Sequence, residues 1–138
     1  MIKKIMKKIF IIILILTTSL AFSQSRKKIK KAGYTSKIEY KYEYRNGKEK
    51  KTKASETNFD INGNIITYKE YDEFGKLKKH IKYSYNTNNN KIKEEYYLPN
   101  GKLKKIIKYK YINGFKTEKA IYYGNGKIKS KKEYVFNK

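Results

Sequence analysis

The stretch Asn100-Gly101-Lys102-Leu103-Lys104-Lys105-Ile106-Ile107-Lys108-Tyr109-Lys110-Tyr111 decides the fold, because lysines alternate in it with apolar and aromatic residues after an Asn-Gly pair. Related stretches begin at Phe74 and at Asn125, so the glycines at 75, 101 and 126 recur with a period of 26 and then 25 residues. Internal repetition at this spacing is typical of repeat architectures. We therefore expect a chain built from copies of one small unit.

The alternation within each copy predicts β-strands. In the middle copy, Leu103, Ile107 and Tyr109 occupy odd positions, and lysines occupy most even positions. A period of two is typical of a half-buried strand, whereas Tyr-x-Tyr pairs would fall on opposite sides of a helix. The predicted core of the repeats comprises Leu77, Ile81, Tyr83, Tyr85, Leu103, Ile107, Tyr109, Tyr111, Ile128, Tyr134 and Phe136.

Short turns separate the predicted strands. Asn-Gly pairs occur at residues 46–47, 62–63, 100–101, 113–114 and 125–126, and Phe74-Gly75 and Asn88-Asn89-Asn90 fill the gaps in the series. Asn and Gly accept the positive φ angles that a two-residue type I′ turn requires. The predicted turn glycines are Gly47, Gly63, Gly75, Gly101, Gly114 and Gly126.

The turn at Asn100-Gly101 also predicts how its two strands pair. If it is a two-residue turn, Leu98 lies opposite Leu103, and Glu94 lies opposite Ile107. Apolar residues of both strands then share one face, whereas a slip of one residue would separate them.

These patterns predict an all-β fold, an antiparallel meander of repeated β-hairpins. A meander with one apolar face must curl, form a second layer or pack on a partner. We expect an elongated, coiled sheet, and the alternative is a small barrel or sandwich. The expected division is a signal peptide at residues 1–23, a basic flexible arm at 24–37 and the β-hairpin repeat domain at 38–138. The polar residues 48–57 are compatible with an exposed strand or a loop.

Residues 1–23 have the three parts of a secretory signal. Four lysines precede an unbroken apolar run from Ile9 to Leu16, and the small residues Ala21 and Ser23 predict cleavage between Ser23 and Gln24. The apolar segment, which ends at Phe22, is shorter than the roughly 20 residues that span a membrane as a helix. We therefore expect an exported protein, periplasmic or secreted, in which a signal helix precedes the sheet and no transmembrane span remains after cleavage.

The charge of the chain limits its partners. Without the four lysines of residues 1–23, the chain has 31 basic and 12 acidic side chains, a net charge of +19. Basic surfaces with tyrosines can bind nucleic acid, but the 33 lysines and 2 arginines and the predicted export argue against it, since arginine is suited to bidentate contacts. We expect a protein partner or an anionic envelope surface. The alternative is that the lysines only solubilise a scaffold, and the oligomeric state stays open.

The sequence contains no arrangement typical of an enzyme. His80, the only histidine, lies among the lysines of its strand and is expected on the solvated surface; one histidine without cysteine provides too few ligands for a transition metal. Glu94 and Glu95 would point to opposite faces of a strand, so they make a poor acid/base pair. Asp60 and Asp72 lie beside turns, where Asp usually serves turn geometry. We therefore expect a non-enzymatic protein without cofactors.

Part of the repeat resembles known families. Tyr71-Asp72-Glu73-Phe74-Gly75-Lys76-Leu77 resembles the Tyr-Asp-x-x-Gly-x-Leu unit of YD-repeat (RHS-like) proteins, although Tyr97 and Tyr122 are not followed by Asp. Residues 96–102 and 122–127 are similar to the variant MORN repeats of YwqK-like antitoxin proteins. The resemblance covers roughly residues 59–136, implies a hairpin-repeat fold and supplies no catalytic residues.

Two functions follow as expectations. The signal segment and the repeats indicate an interaction scaffold at the cell envelope or outside the cell. The similarity to variant MORN repeats implies the alternative, an antitoxin or immunity protein that binds a partner. A third possibility is a basic binder of anionic envelope polymers.

Overall fold

The computed structural model describes residues 26–138, so the predicted signal peptide and its cleavage between Ser23 and Gln24 lie outside the described residues. A short helix, α1, at residues 26–32 precedes one eight-stranded antiparallel sheet. The strands follow the order of the chain from one edge of the sheet to the other. They are β1 (Ser36–Arg45), β2 (Lys48–Phe59), β3 (Ile65–Tyr71), β4 (Leu77–Tyr85), β5 (Lys91–Tyr97), β6 (Leu103–Ile112), β7 (Phe115–Tyr123) and β8 (Ile128–Glu133).

The predicted meander of antiparallel hairpins is confirmed, and the sheet is open. Within residues 26–138, β1 pairs with β2 alone and β8 with β7 alone. Strands that are not consecutive in this part of the chain do not approach within 8 Å at their Cα atoms. The alternative of a barrel or sandwich is therefore not formed by the described residues. The polar residues 48–57 belong to β2.

The seven turns are of two kinds. Asn46-Gly47 and Asn113-Gly114 are two-residue turns in which both residues have positive φ, as type I′ requires. Each of the other five turns has one residue with positive φ and is closed by a pair of backbone hydrogen bonds. In one of these turns the Gly101 N–H donates to the Leu98 carbonyl, and the Leu98 N–H donates to the Lys102 carbonyl, both at 2.9 Å. The two-residue prediction is therefore wrong for 62–63, 100–101 and 125–126.

Side chains stabilise three of the five longer turns from their first residue. Asp60, Asp72 and Asn86 each begin a longer turn, and their Oδ1 atoms accept hydrogen bonds from backbone N–H groups two and four residues later, at 2.8–3.1 Å. Asx side chains stabilise such turns in this way. The prediction that Asp60 and Asp72 serve turn geometry is therefore confirmed. In the turn that Asn86 begins, Asn89 takes the positive φ that glycine takes in the other longer turns.

β-Bulges recur at fixed positions in the hairpins that follow β2. The extra residues at one end of the strands are Lys78, Lys104 and Lys129, and those at the other end are Ile66, Ile92 and Thr117. Both sets repeat with the 26- and 25-residue period. Because a bulge increases the right-handed twist of a strand pair, this series coils the sheet.

The bulges also change the predicted pairing near the turns. Glu94 lies opposite Ile107 as predicted, but Leu103 lies opposite Tyr97 instead of Leu98. A bulge at Lys104 lies between these two pairs. Strand β6 therefore follows the predicted register from Lys105 onwards, but not at Leu103.

The buried apolar core is small and lies on β4, β6 and β7. Ile81, Ile107 and Ala120 are the buried apolar residues of the described chain. The other predicted core residues of β4 and β6 are half-buried. Ile128, Tyr134 and Phe136 are instead exposed, at 57%, 40% and 63%. This corrects the predicted core: β8 is an edge strand, beside which residues 26–138 place no further strand, and the last two of these residues follow its end.

The predicted arm at residues 24–37 is helical over 26–32, and β1 begins at Ser36, before the predicted start at 38. Lys, Arg and Ala favour helix, and Gly33 ends α1 with a φ of 69°. The Gly33 and Tyr34 N–H groups donate to the carbonyls of Lys30 and Ile29, the hydrogen-bond pattern of a Schellman motif. No helix within residues 26–138 has the length and apolar content needed to cross a membrane.

Helix α1 packs on the turn between β2 and β3. The Arg26 guanidinium lies 3.4 Å from Asn64 Oδ1, and Lys30 Nζ lies 3.3 Å from Asn62 Oδ1. The Arg26 carbonyl oxygen lies 2.5 Å from the place that a Cβ atom on Gly63 would occupy. The glycine therefore permits this close approach, and the helix is held at the end of the sheet.

Candidate binding site

A shallow groove of about 480 Å³ lies on the sheet face that carries Ile81 and Ile107. Four tyrosines form its walls, and lysines and the β4–β5 turn form its polar rim; we call it the tyrosine groove. The wall residues are Tyr68, Tyr83, Tyr85 and Tyr111, and the rim residues are Lys79, Lys91, Asn89 and Asn90.

The repeat places these rings. Tyr83 and Tyr85 alternate along β4, and one period later Tyr109 and Tyr111 alternate along β6. Because β5 lies between them, the two tyrosine pairs are two strand spacings apart, roughly 9.5 Å. The sheet therefore presents pairs of rings at a regular interval.

Two hydroxyl groups hold rings of the groove in place. Tyr85 donates a hydrogen bond to the Ile65 carbonyl at 2.9 Å, and Tyr111 donates one to the Lys91 carbonyl at 3.0 Å. Each bond reaches a residue 20 positions earlier, so the second bond is the first one shifted by one repeat. Burial raises the pKa of Tyr83 and of Tyr85 to about 12, so both phenols are neutral at physiological pH.

A buried carboxylate lies beside the groove. Glu94 is 6% exposed, and its oxygens accept hydrogen bonds from the hydroxyls of Tyr96 at 2.5 Å and Tyr109 at 2.7 Å. Lys91 Nζ lies 2.7 Å from the same carboxylate. Burial alone would raise the pKa of Glu94, but the bonds from Lys91, Tyr96 and Tyr109 outweigh it and hold that pKa below its ordinary value. The carboxylate therefore stays charged and fixes the rim lysine.

The same network acts on its tyrosines. Burial, followed by the hydrogen bond to Glu94, raises the pKa of both Tyr96 and Tyr109. Lys91 Nζ also lies 5.3 Å from the centre of the Tyr83 ring and 5.9 Å from that of Tyr109. One lysine thus connects the carboxylate to the rings of two neighbouring repeats.

Lysines lie over tyrosine rings on both faces of the sheet. Lys105 Nζ is 4.0 Å from the Tyr96 ring centre. On the other face Lys82 lies over Tyr97 and Lys108 over Tyr122, both at 5.2 Å and one repeat apart. Lysine stems cover the rings while the ammonium groups remain in water. This arrangement shields the aromatic surface of a sheet that has no second layer in the described chain.

His80 is not the solvated residue that its position among lysines predicts. Its ring stacks on that of Tyr97 at 5.1 Å between centroids, and its buried Nε2 atom has no hydrogen-bond partner among the described residues. Burial, followed by the charges of Lys69 and Lys82, lowers the pKa of His80. The histidine is therefore a neutral packing residue of the face opposite the groove.

The structure divides the predicted core between two faces. Tyr83, Tyr85 and Tyr111 line the groove. Leu77, Leu103 and Ile128 instead pair with tyrosines of the opposite face, namely Tyr71, Tyr97 and Tyr122. The bulges after the turns cause this division. The six predicted turn glycines all have positive φ.

The sequence reasoning did not recognise the role of Glu94. The predicted pairing already placed this carboxylate opposite Ile107, on the apolar side of its strand. That position was the signal that the carboxylate would be buried. Glu95 points to the other face and lies 3.3 Å from Lys93.

The groove offers aromatic rings, ammonium groups and amides. Within residues 26–138, no three His, Asp or Glu side chains converge as a metal site would require. Rings and amides suit a ligand with flat or apolar surfaces and hydroxyl groups, and lysines favour negative charge on it. The arrangement is suited to binding.

Fold and groove together define the class, a β-hairpin protein whose open sheet carries a groove lined by tyrosines and lysines. No protein-family model matches the chain, and no curated protein matches it.

Proposed function

We propose that this chain is a non-enzymatic, exported interaction scaffold, which acts at the cell envelope or outside the cell by binding a partner in the tyrosine groove. The groove on an open sheet is the observation that carries the proposal. A scaffold needs an accessible and stiff surface, and neighbouring strands and hydrogen-bonded tyrosines provide both.

The charge favours a partner with negative groups. The net charge of residues 24–138 is +19, and Lys79 is exposed at the rim of the groove. Lysine acts as a point charge that attracts carboxylates, phosphates or sulfates without requiring one geometry. An acidic patch of an envelope protein and an anionic envelope polymer both fit this description.

A capture experiment at two salt concentrations tests the proposal. The tagged protein, expressed from the full-length sequence, is incubated with the envelope fraction of its own host at low salt and at about 0.5 M salt, where charge attraction is strongly screened. Retention of one dominant protein at both concentrations indicates a protein partner. Retention of polymer at low salt alone indicates an anionic surface.

A matched pair of variants shows whether the groove is the binding site. Lys79→Gln removes a charge at the rim, and Lys102→Gln removes the same charge at the exposed β5–β6 turn. We expect Lys79→Gln to weaken capture several-fold and Lys102→Gln to bind like the unmodified protein. Equal effects of the two variants, or no retention of any envelope component, would overturn the proposal.

A further inference from the structure

Strand β1 is an open edge of the sheet. Its ten residues pair with β2 alone within the described chain, so the other edge of its backbone has no strand partner there. The one irregularity of this pair lies in β2, where Ala54 is the extra residue between Lys53 and Ser55. The outer edge of β1 is thus long, regular and free of proline, the features that allow another strand to pair.

The side chains of β1 alternate between a charged face and an apolar face. One face carries Lys37, Glu39, Lys41, Glu43 and Arg45, whose signs alternate. Neighbouring members contact one another, with Lys41 Nζ at 2.8 Å and Arg45 Nη2 at 3.4 Å from Glu43. The other face carries Ile38, Tyr40, Tyr42 and Tyr44, all of which are exposed.

We propose that two copies of this chain associate through antiparallel pairing of β1 with β1, about a two-fold axis at Tyr40. Tyr40 then lies opposite Tyr40 of the partner subunit, and Ile38 lies opposite Tyr42 of the partner subunit. Directly opposite residues of an antiparallel pair share a face, so the exposed apolar rows of the two copies cover one another.

The charged face supports the same register. Glu39 lies opposite Lys41 of the partner subunit, and Lys37 lies opposite Glu43 of the partner subunit, so the two-fold axis generates four pairs of opposite charge. Moving the axis by one residue, to Lys41, would place Glu39 opposite Glu43 of the partner subunit, and like charges repel across a strand pair. The alternation of sign therefore allows an axis at Tyr40 or at Tyr42, where Glu39 would lie opposite Arg45 of the partner subunit. The axis at Tyr40 pairs more of the strand, residues 36–44 instead of 39–45, and includes Ile38.

The other edge of the sheet lacks this complementarity. Strand β8 carries Lys129, Lys131, Lys132 and Glu133. With three lysines and one glutamate, two copies of β8 cannot balance their charges in any register, and lysines on an edge oppose pairing. Association through β1 therefore stops at two copies, in which two eight-stranded sheets become continuous.

Charge reversal tests the proposal on the protein expressed from the full-length sequence. Lys37→Glu with Lys41→Glu makes the charged face acidic from 37 to 43, and Glu39→Lys with Glu43→Lys makes it wholly basic. In sedimentation equilibrium at about 0.15 M salt, where distant charges are screened, we expect the unmodified protein to dimerise. Each variant should be monomeric alone, and an equimolar mixture should form a heterodimer.

The mixture separates a lost interface from a misfolded chain, because variants that had lost the fold would not associate again when combined. The proposal is overturned by an unmodified protein that stays monomeric at millimolar concentration. It is equally overturned by variants that dimerise alone, by a mixture that stays monomeric, or by an open series of larger species.

A single introduced cysteine tests the register, because the chain contains none. Residues opposite one another in an antiparallel pair have Cα atoms roughly 4.5–5.5 Å apart, within the range of a disulfide. We expect Tyr40→Cys to form a covalent dimer on mild oxidation and Ile38→Cys, one side-chain position along the same face, to form much less. Equal or greater crosslinking of Ile38→Cys, or of Tyr42→Cys, would overturn the pairing about Tyr40.

Discussion

Among single residues, Glu94 connects the groove to the sheet. Its carboxylate accepts bonds from two tyrosines and pairs with Lys91, while only 6% of the residue is exposed. We expect Glu94→Ala to lower the free energy of unfolding by about 3 kcal/mol, because it leaves a lysine and two hydroxyls without their acceptor. Urea denaturation followed by circular dichroism measures the loss.

Glu95→Ala is the matched control. This neighbouring glutamate pairs with Lys93 at 3.3 Å on the other face, where both side chains are partly exposed. Such pairs contribute at most about 1 kcal/mol. A loss for Glu95→Ala as large as that for Glu94→Ala would show that the buried network is not the cause.

The tyrosines of the groove predict a loss of stability in alkali. Burial raises the pKa of Tyr83 and of Tyr85 from 10.0 to about 12, so the folded sheet favours their neutral form. Their contribution to stability is complete below pH 10 and is lost as the pH rises through 12. Urea midpoints measured across this range should fall, and ultraviolet titration should show a late-ionising group of tyrosines that includes these two as well as Tyr96 and Tyr109, whose pKa is also raised. Tyr83→Phe should remove one of them.

At the scale of strands and turns, the sequence predicted most of the hairpins but not their irregularities. The alternation of Ile81, Tyr83 and Tyr85 with polar residues predicted a strand, because an apolar residue at every second position is typical of a half-buried strand. The bulge at Lys104 was not predictable, since Lys104 continues the same alternation and no change of residue type marks an extra residue. Likewise, Asn-Gly fits both kinds of turn. Asp60 stabilises the longer form at 62–63, but the longer turns at 100–101 and 125–126 begin at Leu98 and Tyr123, which offer no such signal.

Two glycines with equal backbone geometry test the docking of α1. Gly63 and Gly75 both have a φ of 76°, but a Cβ atom would meet the Arg26 carbonyl oxygen at 2.5 Å in the first and nothing within 4 Å in the second. We expect Gly75→Ala to cost about 1 kcal/mol through the left-handed backbone. Gly63→Ala should cost roughly 1–3 kcal/mol more, because the helix must move.

Urea denaturation gives both losses, and hydrogen exchange of α1 identifies their origin. Faster exchange of residues 27–32 in Gly63→Ala, but not in Gly75→Ala, is the expected result. Equal losses in the two variants would show that α1 does not pack against the turn that contains Gly63.

On the scale of the whole molecule, repulsion among lysines opposes folding. The net charge of residues 24–138 is +19 and spreads over a short helix and one layer of sheet, and most of the ion pairs are exposed and therefore contribute little. Since added salt weakens long-range repulsion more than close pairs, we expect the urea midpoint to rise between about 0.02 M and 0.5 M sodium chloride. A midpoint that falls over this range would show that the ion pairs outweigh the repulsion.

The candidate site was less predictable than the fold because the described sheet has a single layer. The sequence placed Tyr83 and Tyr111 in a core, since an apolar face normally meets a second layer. Here lysine stems cover the rings instead, as Lys105 covers Tyr96 at 4.0 Å. The same tyrosines therefore line an accessible groove, and alternation alone does not distinguish the two arrangements.

An open meander also predicts a gradient of stability across the sheet. Each strand contacts its neighbours in sequence alone within the described chain. Buried residues lie on β2 and on β4 to β7, with Ile81, Glu94 and Ile107 on the central strands β4, β5 and β6, whereas every residue of β8 is exposed. Units that contact only their neighbours open from the ends. In hydrogen exchange we expect the slowest amides on these three strands and fast exchange on β8. Uniform protection would contradict this gradient. In the proposed dimer β1 becomes an interior strand, so its protection should rise with protein concentration while that of β8 does not.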